Sequence, residues 1–84
     1  MNIFYTSKFL RAYKKLSTEL KEKLDQKERL IVIDVFDEKL RTHKLSGALS
    51  GFWAFSVDYK TRVIFEFQGQ DTIYFYEIGS HNIY

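Results

Sequence analysis

Arg62, His81 and Tyr84 are the residues of this chain whose types suit them best to chemistry, and all fall within its last twenty-three positions. Strand-like segments surround Arg62, and the stretch Gly79-Ser80-His81-Asn82-Ile83-Tyr84 closes the sequence. Breaking an RNA phosphodiester with its own 2′-hydroxyl requires a base for the 2′ proton, a cation for the crowded phosphate and an acid for the 5′ oxygen. A guanidinium suits the cation role because it grips two phosphate oxygens in a fixed fork and stays charged. An imidazole, with an ordinary pKa near 6.5, can move either proton near neutrality. A tyrosine can stack on an unpaired base or donate its hydroxyl. Each residue also has a plainer reading: Arg62 in an ion pair with Glu66, His81 in an ordinary tail, Tyr84 as a packing residue.

A basic cluster precedes the strand-like region. Arg41, His43 and Lys44, with Lys39 beside them, could meet RNA phosphates without regard to base sequence, as could Lys60 just before Arg62. Each alone also reads as a solvated loop residue. The two histidines, His43 and His81, lack the clustered spacing of a metal site, and there are no cysteines to supply thiolates. Neither a glycine-rich phosphate loop nor a Ser/His/Asp set occurs. No metal and no cofactor is expected.

The elements that must hold these residues belong to a short chain. Its 84 residues are read as one domain, 1–84, which buries only about 60–65% of its unfolded surface. Eight Phe, six Tyr and one Trp compensate, since each large ring can bury about 150–250 Å². No apolar run exceeds four residues, far short of the roughly 20 that span a membrane or the roughly 7–15 of a signal peptide. A cytoplasmic protein without a membrane partner is the expectation. The net charge of +2 is uneven: residues 1–62 carry all 13 Lys and Arg against 8 acids, whereas 63–84 carry only Glu66, Asp71 and Glu77. The basic half could favour a polyanion, although lysine-rich helices are also simply well solvated.

Asn2–Tyr5 is β-prone, and Thr6 or Ser7 can cap a helix whose apolar positions are Phe9, Ala12/Tyr13 and Leu16. Ser17-Thr18 can cap a second helix. Its stripe Leu20, Leu24, Lys27, Ile31, Val35 extends to about Leu40, and the β-branched run Leu30–Ile33 is assigned to it rather than to a strand. A polar connection at 41–50 leads to strands at Phe52–Val57, Thr61–Phe67 and Thr72–Ile78, with a hairpin turn at Gln68-Gly69-Gln70-Asp71. On the middle strand Val63, Phe65 and Phe67 share one face, and Arg62, Ile64 and Glu66 the other. The order β-α-α-β-β-β predicts an α+β fold, two N-terminal helices packed on one face of a small antiparallel sheet.

With Lys44-Leu45-Ser46-Gly47, Gly51-Phe52-Trp53-Ala54-Phe55-Ser56-Val57, Asp58-Tyr59-Lys60-Thr61-Arg62-Val63-Ile64-Phe65 and the closing Gly79-Ser80-His81-Asn82-Ile83-Tyr84 in this order, nearly the whole chain resembles the RelE/ParE superfamily of toxins from type II toxin–antitoxin pairs. The resemblance implies a RelE-like fold and, for members of the RelE, YoeB, YafQ and HigB kind, a ribosome-dependent mRNA endoribonuclease that inhibits translation without a metal. It places Arg62 on the scissile phosphate, His81 as acid or base and Tyr84 at the terminal aromatic. It also implies a cognate antitoxin that wraps the toxin, the ribosome and mRNA as further partners, and a higher-order toxin–antitoxin oligomer. Phe52–Val57 lacks the paired lysines of RelE itself, and His81 with Tyr84 resembles the histidine-using ribonucleases more than RelE or ParE. The alternatives are a ParE-like DNA gyrase poison, or a non-catalytic module that only binds an antitoxin.

Overall fold

A computed structural model describes residues 1–80. Strand β1 (Asn2–Tyr5) leads into helices α1 (Ser7–Lys14) and α2 (Thr18–Ile33), and strands β2 (His43–Lys44), β3 (Trp53–Ser56), β4 (Thr61–Gln68) and β5 (Thr72–Ser80) follow. The strands form one sheet in the order β1-β5-β4-β3-β2. The α+β layout and the two helices are as expected. The sheet, however, is mixed: β2 to β5 are antiparallel neighbours, but β1 runs parallel to β5, Asn2 opposite Thr72 and Tyr5 opposite Phe75. A parallel pair needs a long connection between its members, and here nearly the whole chain supplies it.

Both helix starts follow from local chemistry. The Thr6 hydroxyl accepts from the Phe9 N–H at 3.0 Å and donates to the Tyr76 carbonyl at 2.8 Å, so one side chain caps α1 and ties it to β5. The Ser17 hydroxyl accepts from the Leu20 N–H at 3.1 Å. Helix α2 stops at Ile33, short of the expected Leu40. Asp34 leaves helical geometry (φ −155°), and its carboxylate accepts from the Phe36 N–H. Asp37 repeats the device, accepting from the Lys39 N–H to cap a 3₁₀ turn at Glu38–Leu40. Aspartates that bond nearby backbone compete with the helix, and the run Ile31-Val32-Ile33 gains little from extending it. Val35 and Leu40 still reach the core, through the turn rather than a continued helix.

Helices and sheet meet in a core rich in rings. Phe9, Leu24 and Ile31 pack with Phe55, Val63, Phe65, Ile73 and Phe75. The Phe75 ring lies 5.4 Å from Phe9, 5.5 Å from Phe55 and 6.5 Å from Phe65, centroid to centroid. Trp53 is partly buried and packs at the core's margin, against Phe36 and Phe67. Between Ile64 and Phe65 the register shifts: Val63 pairs with Ile78 but Phe65 with Phe75, so β5 uses one residue more than β4. That bulge keeps the core side chains of both strands on one face.

Candidate functional site

β4 begins with Thr61, and its second residue, Arg62, lies on the face opposite the core residues Val63 and Phe65. Its sheet partners are Ser56 on β3 and Gly79 on β5, the smallest flanking pair along the strand. These small neighbours leave room beside the guanidinium. Nη1 donates to the carbonyls of Asp58 (2.8 Å) and Thr61 (3.3 Å), which anchors the side chain at the β3–β4 turn. Among the described residues no carboxylate forms an ion pair with Arg62. Glu66, the plain alternative partner, is engaged elsewhere: its carboxylate accepts from the Tyr76 hydroxyl at 3.1 Å and the Gln68 amide at 2.5 Å. The phenol of Tyr76 is pushed above its ordinary pKa by that bond to Glu66.

Arg62 opens into a cavity of about 200 Å³ whose lining includes Lys27, Lys39, Arg41 and Tyr59. Four cations thus face one space, with Asp58 the single carboxylate on its wall. That carboxylate is taken up by the turn, accepting from the N–H groups of Lys60 (2.9 Å) and Thr61 (2.7 Å). Burial alone would raise the Asp58 pKa, but these backbone donors outweigh it and hold the group below the ordinary carboxylate value. Three different elements deliver the cations: α2 brings Lys27, the turn after it Lys39 and Arg41, and β4 Arg62. Lys27 donates to the Lys39 carbonyl at 3.3 Å, which joins helix and turn. Arg41 is the one non-glycine described residue with positive φ (53°), the point where the chain reverses into β2. The arrangement can accept an anion with several oxygens, and a phosphodiester fits the guanidinium fork with ammonium groups at its flank.

The other expected nucleic-acid contacts divide. Arg41 shares the Arg62 cavity, whereas His43 and Lys44 line a separate one of about 310 Å³ with Leu45, Ser46 and Leu49. The His43 ring Nδ1 lies 2.9 Å from the Arg41 carbonyl, and the Lys44 ammonium sits 5.4 Å above the Trp53 ring. Lys60 turns over Tyr59, 5.6 Å from its centroid, and does not line the Arg62 cavity. His81 and Tyr84 lie outside the described residues. β5 ends at Ser80, opposite Thr61, with His81 the next residue in sequence. Sequence reasoning missed Lys27. Its signal was present as the one cation in the stripe Leu20, Leu24, Lys27, Ile31, Val35, where periodicity calls for an apolar residue. Among the described residues no group of three His, Cys, Asp or Glu could hold a metal ion, and no helix is long and apolar enough to cross a membrane.

No protein-family model matches the sequence, and no curated protein matches it. Solved structures do. The YoeB/ParE toxin from Agrobacterium tumefaciens superposes with a TM-score of 0.82 at 16% identity, over 96% of this chain and 99% of that one. YafQ from E. coli gives 0.75 at 17%, over 95% and 92%. The YoeB of a heterotetrameric YoeB–YefM toxin–antitoxin complex from Staphylococcus aureus gives 0.79 at 15%, over 96% and 97%. The chain therefore has the fold of these toxins along essentially its whole length.

Proposed function

We propose that this chain, a single toxin domain over 1–84, is the toxin of a type II toxin–antitoxin pair and cleaves mRNA on the ribosome, inhibiting translation. The observation that carries this reading is Arg62, set between Ser56 and Gly79 and opening into a cavity walled by Lys27, Lys39 and Arg41, with no carboxylate paired to it among the described residues. The fold shared with YoeB and YafQ supports it.

In this reading Arg62 grips the non-bridging oxygens of the scissile phosphate and offsets the charge that builds as the 2′-oxygen attacks. Lys27, Lys39 and Arg41 hold the neighbouring backbone, and His43, Lys44 and Lys60 make more distant phosphate contacts. His81, which directly follows the strand end beside Arg62, performs one of the two proton transfers, and Tyr84 supplies a stacking ring or a hydroxyl. The step balances without a metal: the 2′-oxygen gives its proton to a base and bonds to phosphorus, the bond from phosphorus to the 5′-oxygen breaks, that oxygen leaves with a proton, and a 2′,3′-cyclic phosphate remains. A cognate antitoxin would be the protein partner. The YoeB–YefM heterotetramer supports a higher-order complex, and the substrate would place the toxin in the cytoplasm.

Mapping mRNA 5′ ends on translating ribosomes, with wild-type chain and with Arg62→Ala, tests the reading. New 5′-hydroxyl ends at the ribosomal A site with wild type alone are the expected result. Growth arrest without new ends would overturn it in favour of gyrase, and 5′-phosphate ends would overturn the metal-free step.

A further inference from the structure

The Arg62 cavity holds more positive charge than one phosphodiester can answer. Lys27, Lys39, Arg41 and Arg62 all line it, and among the described residues none of them is in an ion pair. Asp58 is the single carboxylate on the wall, which leaves three positive charges without a counter-charge. The hydrogen bonds that Lys27 and Arg62 make go to backbone carbonyls, which are neutral acceptors. Like charges gathered by the fold repel one another and oppose the compact state. An anion of matching charge removes that cost.

Size and surroundings narrow the anion further. RNA sets successive phosphates a whole nucleotide apart, so a space of about 200 Å³ takes in one of them and its neighbours reach only the margins. A polyphosphate links its phosphorus atoms through single oxygens and brings several charged groups into the same space. Its terminal phosphate alone carries about −1.5 to −2 charges near neutrality. The cavity is too small to enclose a nucleoside as well, since pockets that swallow such ligands run to about 300–1,000 Å³. The rest of the molecule must lie outside, and Tyr59 stands where it would emerge. Tyr59 lines the cavity yet is 81% exposed, and the Lys60 ammonium sits 5.6 Å from its ring centroid. An exposed ring beside a phosphate site offers a base a face to stack on.

We propose that the Arg62 cavity binds a free nucleoside triphosphate, its phosphates among Lys27, Lys39, Arg41 and Arg62 and its base on Tyr59. The binding rests on the charge of the cavity and the exposure of Tyr59 alone. Its consequence rests on the ribonuclease reading: nucleotide and mRNA both need the Arg62 guanidinium, so cleavage slows as nucleotide concentration rises. Tyr59 is then the residue that separates a nucleotide from a bare polyphosphate, because only the nucleotide has a base to stack.

Isothermal titration of the full-length chain with ATP, AMP, adenosine and inorganic triphosphate, in magnesium-free buffer at fixed salt, tests it. ATP should bind more tightly than AMP, and adenosine should not bind. Inorganic triphosphate should bind roughly tenfold more weakly than ATP, the loss expected for one stacked base. Tyr59→Ala should abolish that tenfold difference, and Lys39→Ala should weaken ATP and triphosphate alike. Both side chains are exposed, so neither change threatens the fold. No binding of ATP to the wild-type chain, AMP binding as tightly as ATP, or a preference for ATP over triphosphate that survives Tyr59→Ala would overturn the proposal. Triphosphate binding as tightly as ATP to the wild type would assign the cavity to polyphosphate instead and equally overturn it. Cleavage on purified ribosomal complexes separates the two readings. A chain that cuts mRNA but binds no ATP sinks this proposal and leaves the ribonuclease standing, and one that binds ATP but cuts no mRNA does the reverse.

Discussion

Arg62 is legible in the sequence as a cation on the strand face opposite Val63 and Phe65, but its setting is not. Periodicity separates it from Val63 and Phe65; it does not reveal that Ser56 and Gly79 flank it or that Lys27 reaches the same cavity. Replacing Arg62 with Ala is expected to slow ribosome-dependent cleavage by roughly 10²–10³-fold, the range for losing one preorganised donor to a transition-state charge. Arg62→Lys should recover only part of that, because an ammonium lacks the fork. Single-turnover cleavage of ribosome-bound mRNA measures both. Lys27→Ala should behave differently. It should weaken RNA binding at all sequences alike and lower the slope of log affinity against log salt by about 1, read from binding at several salt concentrations.

Among the elements, the caps and turns do more than end helices and strands. Thr6 caps α1 and also bonds β5, so Thr6→Val, which keeps shape and removes both bonds, should cost about 1–3 kcal/mol by urea denaturation. Ser17→Ala, which loses a cap alone, should cost about 1 kcal/mol in the same assay. The β3–β4 turn makes a pH prediction. Asp58 titrates below its ordinary value of 3.8 in the fold, so its contribution is complete above that pH and fades as pH falls through the lower folded value. Asp58→Asn should therefore lose stability relative to wild type near neutrality, and the gap should close in acid; parallel denaturation curves at several pH values would show it.

For the whole molecule, stability rests on a ring cluster in a small chain. Chains of this length have about 4–13 kcal/mol to lose. Phe75 touches Phe9, Phe55 and Phe65 and is fully buried, so Phe75→Ala should cost about 3–5 kcal/mol. That is a large part of the total, and the variant should be substantially unfolded at 37 °C by circular dichroism, with RNA and partner binding lost together. Arg62→Ala, by contrast, should leave the melting curve close to wild type.

Elements made by neighbours in sequence were readable from the sequence. The caps at Thr6 or Ser7 and at Ser17-Thr18, the hairpin at Gly69 (φ 73°) and the split of β4 into two faces depend on a few adjacent residues, and propensity and period report those; the structure selects Thr6 and Ser17. The end of α2 was not, because the stripe through Val35 serves a helix and a 3₁₀ turn equally, and Asp34 and Asp37 decided between them. Tertiary structure alone set what depends on residues distant in sequence: β1 beside β5 in parallel, the bulge opposite Phe65, and the meeting of Lys27, Arg41 and Arg62 around one cavity. Pairing partners and charge convergence arise only when the chain closes on itself, and no local pattern encodes which cations will share a space.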